Sequence, residues 1–513
     1  MIVNNLEIRT LKGRTLLSGL SFVLNPGDKV GLIGEEGNGK STLLKVLAGI
    51  DVSDYVTITG NIDRGKERIG YLPQTVEAKW LDSAPLEYLV KDEPGDEFPL
   101  ESYEHYGRLT DVFKMLGIDV SVLEEERAIG TFSGGEKVRL SLARVMYQQP
   151  DVLLLDEPTN DLDLKTLLWL EDFINDTELP VLYITHDEVL LENTSNAILH
   201  LEQLKAKNQP RATFSRLPYR DYARERLGFI EKTNQISVSE HARFRKQMER
   251  YRQIYQKVEH RQNTISRQDP HGGQLLKKKM KSLKAQGRKL DETGKNLTEK
   301  YEPEEAIDFF FENEPLNHNK VILSLNLEGL FAPDGRKLAG EIHLAVHGRD
   351  KVCIIGDNGS GKTTLMKIIY QELRDRPDII LGYMPQNYAD LMDQNLSAQQ
   401  FLALSERRED VQRANTMLGA MKFTTEEMSH KLADLSEGQK CKIFLIKLIL
   451  ERCNVLLLDE PTRNLSPLSS PQLRRMLREY TGCIIAVSHD RKFIEEVSTV
   501  TMILENGVLK RLY

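Results

Sequence analysis

The sequence contains the same series of motifs twice, and this repeat limits the possible folds more than any other feature. GEEGNGKS at residues 34–41 recurs as GDNGSGKT at residues 356–363, and VLLLDEPT begins at both Val152 and Val455. In each half, 23 residues separate the serine of FSGGEK or LSEGQK from the aspartate of LLLD, and 30 more lead to a histidine. Spacing this regular predicts two homologous domains.

Each copy alternates short apolar strands with helices, a pattern typical of an α/β domain with a mainly parallel sheet. The repeat predicts domains at residues 1–204 and 319–513, with residues 205–318 between them. The first copy is longer by two insertions, one around residues 51–67 and one somewhere within residues 76–110. The second insertion is rich in acids and aromatic residues, which favours a small packed arm.

The segment between the copies is basic in an otherwise acidic chain. Residues 205–301 contain 25 Lys or Arg against 10 Asp or Glu, whereas the whole chain carries a formal charge of −8. Such asymmetry favours contact with a polyanion. A solvated helical spacer would show the same run of charge, so the charge alone leaves both interpretations open.

Apolar residues in this segment recur in alternating steps of four and three, which is the seam of a coiled coil. QDPHGG at residues 268–273 interrupts the seam with a proline and two glycines, which favours a helix break. The segment is therefore predicted to be an antiparallel helical hairpin with its tip near residues 265–275. The seam residues are Phe244, Met248, Tyr251, Tyr255, Val258, Ile265, Leu276, Met280, Leu283, Leu290, Leu297 and Tyr301.

Cations crowd the outer face of this predicted hairpin. Closely spaced Lys and Arg on a rigid arm suit the phosphates of structured RNA, which proteins recognise mainly by charge and shape. The predicted RNA-binding residues are Arg243, Arg245, Lys246, Arg250, Arg252, Lys277, Lys278, Lys279, Lys281 and Lys284.

The two glycine-rich segments fit the phosphate-loop pattern GxxxxGK[ST], and each lies between an apolar strand and a helix. Their glycines allow a tight turn in which backbone amides and the helix N-terminus face phosphate oxygens, while the lysine reaches the β- and γ-phosphates of ATP. In the first copy the predicted ATP-binding residues are Gly34, Gly37, Asn38, Gly39, Lys40, Ser41 and Thr42. In the second they are Gly356, Asn358, Gly359, Ser360, Gly361, Lys362, Thr363 and Thr364.

Oxygen ligands for Mg²⁺ are predicted beside each loop, because Asp156 and Asp459 end apolar strands at the carboxyl edge of the sheet. The complete predicted set is Ser41, Gln74, Asp156, Thr363, Gln386 and Asp459. Phosphoryl transfer needs a carboxylate that orients the attacking water, and the glutamates next to these aspartates suit that role. The predicted catalytic residues are Glu157 and Glu460, with His186 and His489 as contacts of the γ-phosphate.

The remaining composition predicts a cytoplasmic protein. No apolar run approaches the roughly 20 residues that cross a bilayer, and the N-terminus lacks the basic and apolar regions of a signal peptide. The four cysteines form no CxxC pair. They favour reduced thiols over disulfides or a metal site.

Taken together, the motifs resemble those of the ATP-binding cassette superfamily, over both halves of the chain. Two cassettes in one polypeptide, joined by a basic helical linker, look like the ABC-F family of ribosome-binding ATPases. In the second cassette, PTRNLSPLS from Pro461 and the SEGQ segment from Ser436 are similar to the Lsa-type branch, which protects ribosomes from antibiotics. The resemblance implies two tandem cassettes, joined by a long antiparallel coiled coil, that pair within a monomer.

The resemblance also implies that each ATP lies between the cassettes, against the signature segment of the opposite one. The two signature segments are residues 133–135, SGG, and residues 436–438, SEG. Ser133, Gly134 and Gly135 should then face the loop at 356–363. Ser436 and Gly438, with Glu437 between them, should face the loop at 34–41.

Departures from the family pattern predict two unequal sites. Glu437 stands where a signature glycine is expected, and NDLD at residues 160–163 is replaced by RNLS at residues 463–466. The aromatic residue expected to stack on adenine can be Phe331 in the second cassette, whereas the first offers only Leu11.

By resemblance, the partner is the ribosome: the 50S subunit, its 23S rRNA and the peptidyl tRNA in the P site. The implied function is ATP-gated displacement of lincosamide, pleuromutilin or streptogramin A antibiotics. A housekeeping ABC-F translation factor and the fused twin-ATPase subunit of a membrane importer are alternatives. A DNA-maintenance cassette ATPase fits less well, because the hairpin separates two complete cassettes.

Overall fold

The computed structural model describes residues 1–96, 102–160, 162–204, 209–264, 270–301, 315–403 and 407–512. Three sequence-based predictions fall partly outside this range: the hairpin tip at residues 265–269, Asp161 of NDLD, and residues 97–101 of the inserted arm. The chain divides into two compact units, the larger being Met1–Arg220 with Glu304–Tyr513 and the smaller being Asp221–Pro303.

The first half of the larger unit is built on a six-stranded sheet in the order β5-β6-β7-β3-β8-β9, in which only β9 is antiparallel to its neighbour. A second, antiparallel sheet has the order β2-β1-β4. The strands of this half are β1 (Ile2–Thr10), β2 (Thr15–Val23), β3 (Lys29–Ile33), β4 (Val56–Asp63), β5 (Ile69–Leu72), β6 (Val152–Leu155), β7 (Val181–Ile184), β8 (Ala197–Gln203) and β9 (Gln209–Ser215). Its helices are α1 (Lys40–Ala48), α2 (Pro85–Val90), α3 (Ser102–Leu116), α4 (Gly134–Tyr147), α5 (Leu164–Asp176) and α6 (Glu188–Thr194).

Two long helices follow, α7 (Tyr219–Thr264) and α8 (Pro270–Lys295). The second half of the larger unit then repeats the sheet as β15-β16-β17-β14-β18-β19, with β19 antiparallel. Its strands are β10 (Val321–Leu327), β11 (Leu330–Phe331), β12 (Lys337–Ala339), β13 (Ile342–His347), β14 (Lys351–Ile355), β15 (Leu381–Met384), β16 (Val455–Asp459), β17 (Cys483–Val487), β18 (Val500–Glu505) and β19 (Val508–Arg511). Its helices are α9 (Lys362–Leu373), α10 (Ala398–Leu402), α11 (Arg408–Ala420), α12 (Thr425–Ser429), α13 (Glu437–Leu450), α14 (Ser470–Glu479) and α15 (Arg491–Val497).

These sheets confirm the predicted mixed α/β class. The central strands β6, β7, β16 and β17 are buried along their whole length and are apolar except for Asp459, the last residue of β16. A strand of a parallel sheet is covered by helices on both faces, so it needs no alternation of polar and apolar residues. All four cysteines are buried and unpaired in the second half.

The first half extends beyond the sequence-based boundary at residue 205. Strand β9 pairs with β8 along Ile198 to Gln203, and the smaller unit begins only at Asp221. Strand β9 alternates polar and apolar residues in a polar sequence, QPRATFS. This is typical of an edge strand, which has one partner and one open side.

The two insertions of the first half have different structures. The insertion at residues 51–67 supplies β4, which pairs with β1. In the arm, Trp80 and Tyr88 are 2% and 4% exposed, and the Tyr88 hydroxyl lies 2.8 Å from Ser141 Oγ on α4. Arg144 of α4 covers both rings, with its guanidinium carbon 4.3 Å and 4.8 Å from the ring centroids. The described part of the arm is therefore packed on α4.

In the smaller unit, α7 and α8 lie against each other in antiparallel order. Val258, Met280 and Leu283 form a buried cluster, with Tyr251 and Tyr255 packed beside it. Further along the pair, Gly287 faces the Tyr251 ring and Gly294 faces the Phe244 ring. Residues late in α8 thus meet residues early in α7, as the seam predicts.

The predicted helix break is wrong at its C-terminal end. Helix α8 begins at Pro270, so Gly272 and Gly273 lie within a helix. Proline is tolerated in the first turn because the amide it lacks would have no partner within the helix there. Residues 265–269, between α7 and α8, lie outside the described part of the chain.

A side chain at Gly287 should weaken the helix pair, although Gly to Ala substitution usually stabilises a helix by about 1 kcal/mol. A Cβ atom at Gly287 of α8 would lie 2.5 Å from the Tyr251 hydroxyl, whereas one at Gly228 of α7 would meet nothing within 4 Å. We expect Gly228→Ala to slow amide hydrogen exchange in α7, and Gly287→Ala to accelerate it in both helices. Adding Tyr251→Phe should relieve part of the second effect. Equal protection in both glycine variants would contradict this packing.

Candidate nucleotide sites

The first glycine-rich loop connects β3 to α1 in a conformation that needs glycine. Gly34 has φ of 148°, and a Cβ there would lie 2.2 Å from the carbonyl oxygen of Leu201. Lys40 folds back over the loop and donates hydrogen bonds to the carbonyl oxygens of Gly34 and Glu35 at 2.9 and 3.2 Å. The backbone of the loop thus surrounds the buried ammonium group of Lys40.

Oxygen atoms converge beside this lysine, at the end of β6. Ser41 Oγ donates a hydrogen bond of 2.9 Å to Asp156 Oδ1, and the Tyr71 hydroxyl donates one of 3.0 Å to Oδ2. Burial raises the pKa of Asp156 despite these two hydrogen bonds. The ionised form of this carboxyl group is therefore stable here only while hydrogen bonds or a cation offset the cost of its burial.

Glu157 follows in a strained backbone conformation, with φ of 49°. Its Oε2 accepts hydrogen bonds of 2.7 Å from both Gln74 and Asn160, and its Oε1 lies 3.5 Å from His186 Nε2. Burial opposes ionisation, but the contacts with His186 and Asn160 and the charge of Lys40 outweigh it and lower the pKa of Glu157 to about 2. Glu157 is thus a fixed, ionised carboxylate.

The second loop, between β14 and α9, has the same geometry around its lysine. Lys362 donates to the carbonyl oxygens of Gly356 and Asp357 at 2.7 and 2.8 Å. Thr363 hydrogen-bonds to Asp459, whose other oxygen, Oδ2, is buried with no hydrogen-bond partner among the described residues.

Glu460 differs from Glu157 in its surroundings, although its φ of 53° is similar. Glu460 Oε2 accepts a bond of 3.3 Å from the His489 amide, while Oε1 is buried, 3.8 Å from His489 Nε2 and without a described hydrogen-bond partner. Burial raises the pKa of Glu460 to about 8, and burial with the Lys362 charge lowers the pKa of His489 to about 4. The two glutamates are thus held by different contacts, and their pKa values are shifted in opposite directions.

Each loop opens into a cavity that residues of both halves line. The first, about 800 Å³, lies between Lys40, Ser41 and Thr42 on one side and Ser436 and Glu437 on the other. Its further lining residues are Glu36, Gly37, Gly39, Gln74, Glu157, Asn160, Gln386, Asn387, Arg463 and Asn464. The second, about 480 Å³, joins Asn358, Gly359, Lys362, Thr363, Thr364, Gln386, Asp459, Glu460 and His489 with Gly134, Thr159 and His186 of the first half.

The other predicted residues lie near these cavities or within the loops. Ser133 and Ser436 cap α4 and α13 through reciprocal bonds with Glu136 and Gln439. Gly135 is buried against Thr166, where a Cβ would lie 2.8 Å from Oγ1. Within the loops, Asn38 and Gly361 are packed against Leu201 and Leu330, and Ser360 Oγ is buried.

Phe331 is 54% exposed and is not among the residues that line the second cavity. The neighbouring residues Ala332, Arg336 and Leu338 line it instead. Leu11, at the corresponding place in the first half, is 61% exposed. Stacking of Phe331 on a base stays a prediction.

The sequence reasoning missed a cluster around Glu35 and Glu36 that joins the halves. Glu36 accepts a hydrogen bond from the Gly438 amide at the start of α13. Glu35 forms a 2.7 Å ion pair with Lys442 and accepts hydrogen bonds from the Ser466 and Ser469 hydroxyls. The signal was present, because GEEG in the first loop carries one more acid than GDNG in the second.

Glu437, which stands where a signature glycine is expected, forms an ion pair within its own helix and also lines the first cavity. Its carboxylate lies 2.9 Å from Lys440 Nζ and its side chain is 49% exposed. Glu36 of the opposite loop is a second acidic group beside this signature segment.

In the smaller unit, all ten predicted RNA-binding residues are exposed. Among the helices that the structure describes, none combines the length and apolarity needed to cross a bilayer.

Comparison with known proteins identifies the family to which the two halves belong. The sequence model of the ABC transporter family matches residues 17–160 and 340–463, which together exceed half of the chain. ABC transporter F family member 5 of Arabidopsis thaliana is 27% identical, over 98% of this chain and 74% of that protein. The energy-dependent translational throttle protein EttA of Escherichia coli (strain K12) is 29% identical, over 95% of this chain and 88% of that protein.

The tylosin resistance ATP-binding protein TlrC of Streptomyces fradiae is 27% identical to this chain, over 97% of it and 96% of that protein. Each of these matches extends over both cassettes of this chain and the segment between them. The chain therefore belongs to the ABC transporter family, as an ABC-F ATP-binding cassette protein with two ATPase domains that bind and hydrolyse ATP.

Proposed function

We propose that this protein is an ATP-gated factor that binds the ribosome in the cytoplasm and protects it from antibiotics acting at the peptidyl transferase centre. The observation that carries this proposal is the combination of two cavities shared between cassettes with a separate, strongly basic helix pair. ATP held in both cavities would favour the closed pair of cassettes, because a ligand that touches both faces stabilises their contact.

In this proposal, Lys40 and Lys362 exchange their bonds to loop carbonyls for bonds to phosphate oxygens. The loop amides and the N-termini of α1 and α9 supply the remaining donors. The signature segments at residues 133–135 and 436–438 complete each site from the opposite cassette. Glu36 must then give up the Gly438 amide, or share it, when ATP enters the first site.

The residues present fit a divalent cation beside each lysine. Asp459 Oδ2 is a buried oxygen without a described partner, and Ser41 Oγ lies 2.9 Å from Asp156 Oδ1. Hydroxyl, carboxylate and amide oxygens are the ligands that Mg²⁺ prefers. We propose Ser41, Gln74 and Asp156 at one site and Thr363, Gln386 and Asp459 at the other. Mg²⁺ held there would neutralise phosphate charge during hydrolysis.

Glu157 and Glu460 are the groups proposed to orient the attacking water. Each lies beside a proposed cation ligand and within 4 Å of a histidine, His186 or His489. His186 Nδ1 also lies 2.7 Å from the Leu465 carbonyl oxygen of the other cassette. A histidine that touches both the carboxylate and the opposite cassette is placed to link loss of the γ-phosphate to opening.

The helix pair is proposed to be a coiled coil that binds 23S rRNA and approaches the peptidyl tRNA in the P site. Its exposed cations suit RNA phosphates, and such contacts make binding depend steeply on salt. Similarity to TlrC favours protection from an antibiotic, while similarity to EttA favours regulation of translation without a drug. The fused subunit of an importer would have no use for a basic helix pair between its cassettes.

The test is co-sedimentation of the full chain with ribosomes. Because hydrolysis should release the protein, Glu157→Gln/Glu460→Gln protein is expected to remain bound with ATP and to leave with ADP. Lys277→Glu/Lys278→Glu/Lys279→Glu should abolish binding, whereas the same charge change at the exposed residues Lys12, Lys66 and Lys337 of the cassettes should not. Failure of the hydrolysis-deficient protein to bind would contradict the proposal.

Drug susceptibility of a deletion strain then separates the two functions. A resistance factor predicts greater sensitivity to lincosamides, pleuromutilins or streptogramins A, and a translation regulator predicts none.

A further inference from the structure

Two arginines of the second cassette form ion pairs with glutamates of the first, one pair buried and the other partly buried. Arg474 on α14 donates to both oxygens of Glu188 on α6, at 2.8 and 3.2 Å. Arg491 on α15 donates to Glu171 on α5 at 2.8 Å. The side chains of the first pair are 2% and 6% exposed, and those of the second pair 16% and 14%. Neither pair takes part in the nucleotide sites described above.

The four residues occupy equivalent places in the sequence repeat. From the signature segments onward, an offset of 303 residues relates the motifs of the two halves, for example His186 and His489. The same offset relates Glu171 to Arg474 and Glu188 to Arg491. Structure supports this equivalence, because Leu170 and Leu473 are both fully buried and Asp187 and Asp490 both cap the following helix.

The two ion pairs are therefore equivalent contacts, related by the pseudo-twofold symmetry between the cassettes. In both copies of the contact the acid belongs to the first cassette and the base to the second. If two first cassettes paired in the same way, Glu171 of each would lie opposite Glu188 of the other. If two second cassettes did so, Arg474 of each would lie opposite Arg491 of the other.

We propose that this exchange of charge specifies which cassettes pair: a first cassette accepts a second cassette and rejects another first cassette. A buried charge opposite a like charge is strongly unfavourable, so repulsion excludes the wrong partner as effectively as attraction selects the right one. The interaction surface is thus fitted to the other half of the same chain. This inference concerns assembly and does not depend on what the helix pair binds.

Neighbouring charges also take part in this contact. Asp187 of the first cassette lies 3.4 Å from Arg491, so a pair of first cassettes would add further acids and no arginine. In the second cassette, Arg474 also contacts Glu496 at 3.0 Å and lies 4.0 Å from Asp490. Lys492 of the second cassette adds a further base, which contacts Glu188 and Glu192 of the first, so acids of the first cassette again face a base of the second.

Three variants of the full chain test the proposal. The acidic variant is Arg474→Glu/Arg491→Glu, the basic variant is Glu171→Arg/Glu188→Arg, and the exchanged variant carries all four substitutions. ATP hydrolysis, which needs both cassettes, should fall at least about tenfold in the acidic and basic variants, since tenfold corresponds to only 1.4 kcal/mol. The exchanged variant should recover most of the wild-type rate.

Mixing gives the decisive measurement. In an equimolar mixture, each cassette of the acidic variant can find its complement only in a basic chain. Activity should return, and light scattering should show a species of twice the monomer mass that neither variant forms alone. A purely stabilising ion pair would give neither result.

Arg475→Glu/Arg478→Glu is the matched control, because both residues are exposed on α14 and the charge change equals that of the acidic variant. It should keep the wild-type rate and mass. Circular dichroism establishes that each variant is folded. Folded variants that fail to complement, or an exchanged variant as inactive as the acidic one, would overturn the proposal. If the acidic or basic variant does not fold, recovery of fold and activity in the exchanged variant supports the proposal and its failure refutes it.

Discussion

Replacing Glu157 and Glu460 together by glutamine should lower the rate of ATP turnover by about 10²–10⁴-fold, the usual contribution of a positioned acid or base. Binding of ATP should persist, because the loop lysines and amides are unchanged. The measurement is a single-turnover assay, with nucleotide binding followed separately. Glu126→Gln, at an exposed acid of the first cassette, is the control and should hydrolyse ATP at the wild-type rate. Retention of wild-type turnover in the double variant would remove both glutamates from the mechanism.

The two single variants should differ. Glu157 is held by Gln74 and Asn160, whereas Glu460 accepts one backbone hydrogen bond and leaves an oxygen without a described partner. A carboxylate that is already oriented loses more when it is replaced. Glu157→Gln is therefore expected to slow its own site more than Glu460→Gln does. Equal factors in the single-turnover assay would count against unequal sites.

Lys442→Met should destabilise the contact between the cassettes by about 3–5 kcal/mol, because it leaves the Glu35 carboxylate buried without its cation. The side chains of Glu35 and Lys442 are only 13% and 8% exposed. Removing both charges, in Glu35→Gln/Lys442→Met, should restore much of the loss. Thermal unfolding of the four proteins of this double-mutant cycle gives the coupling free energy. Additive effects of the two substitutions would show that the ion pair contributes nothing.

Acid should remove the same stabilisation. Burial alone would raise the pKa of Glu35, but the Lys442 charge and the serine hydroxyls lower it from 4.5 to about 2. A depressed pKa stabilises the folded state above the unfolded value and loses this effect as the pH falls through the folded value. The stability advantage of wild type over Glu35→Gln should therefore decrease between pH 4.5 and 2.

The sequence allowed the prediction of features that depend on local pattern. Phosphate loops need glycine at positive φ, and buried parallel strands need apolar runs, so both appear directly in the residues. The edge strand β9 was missed because its sequence is polar and its pairing with β8 depends on tertiary context. The helix at Gly272 and Gly273 was missed because Pro270 and the helix pair outweigh the low helix propensity of glycine.

Contacts between the halves could not be predicted from spacing. Glu35 and Lys442 are 407 positions apart, and nothing local relates them. The charge exchange between Glu171, Glu188, Arg474 and Arg491 was readable in principle, since the repeat aligns these positions. It has meaning only once the structure shows that α5 faces α15 and α6 faces α14.

The backbone at Glu157 and Glu460 has a consequence for evolution. Both residues adopt φ near 50°, a region that glycine enters freely and that costs other residues about 1–3 kcal/mol. Glycine at either position would relax this strain and remove the group proposed to orient water. Thermostability and catalysis therefore oppose each other at these two positions, and selection for heat resistance alone would favour an inert protein.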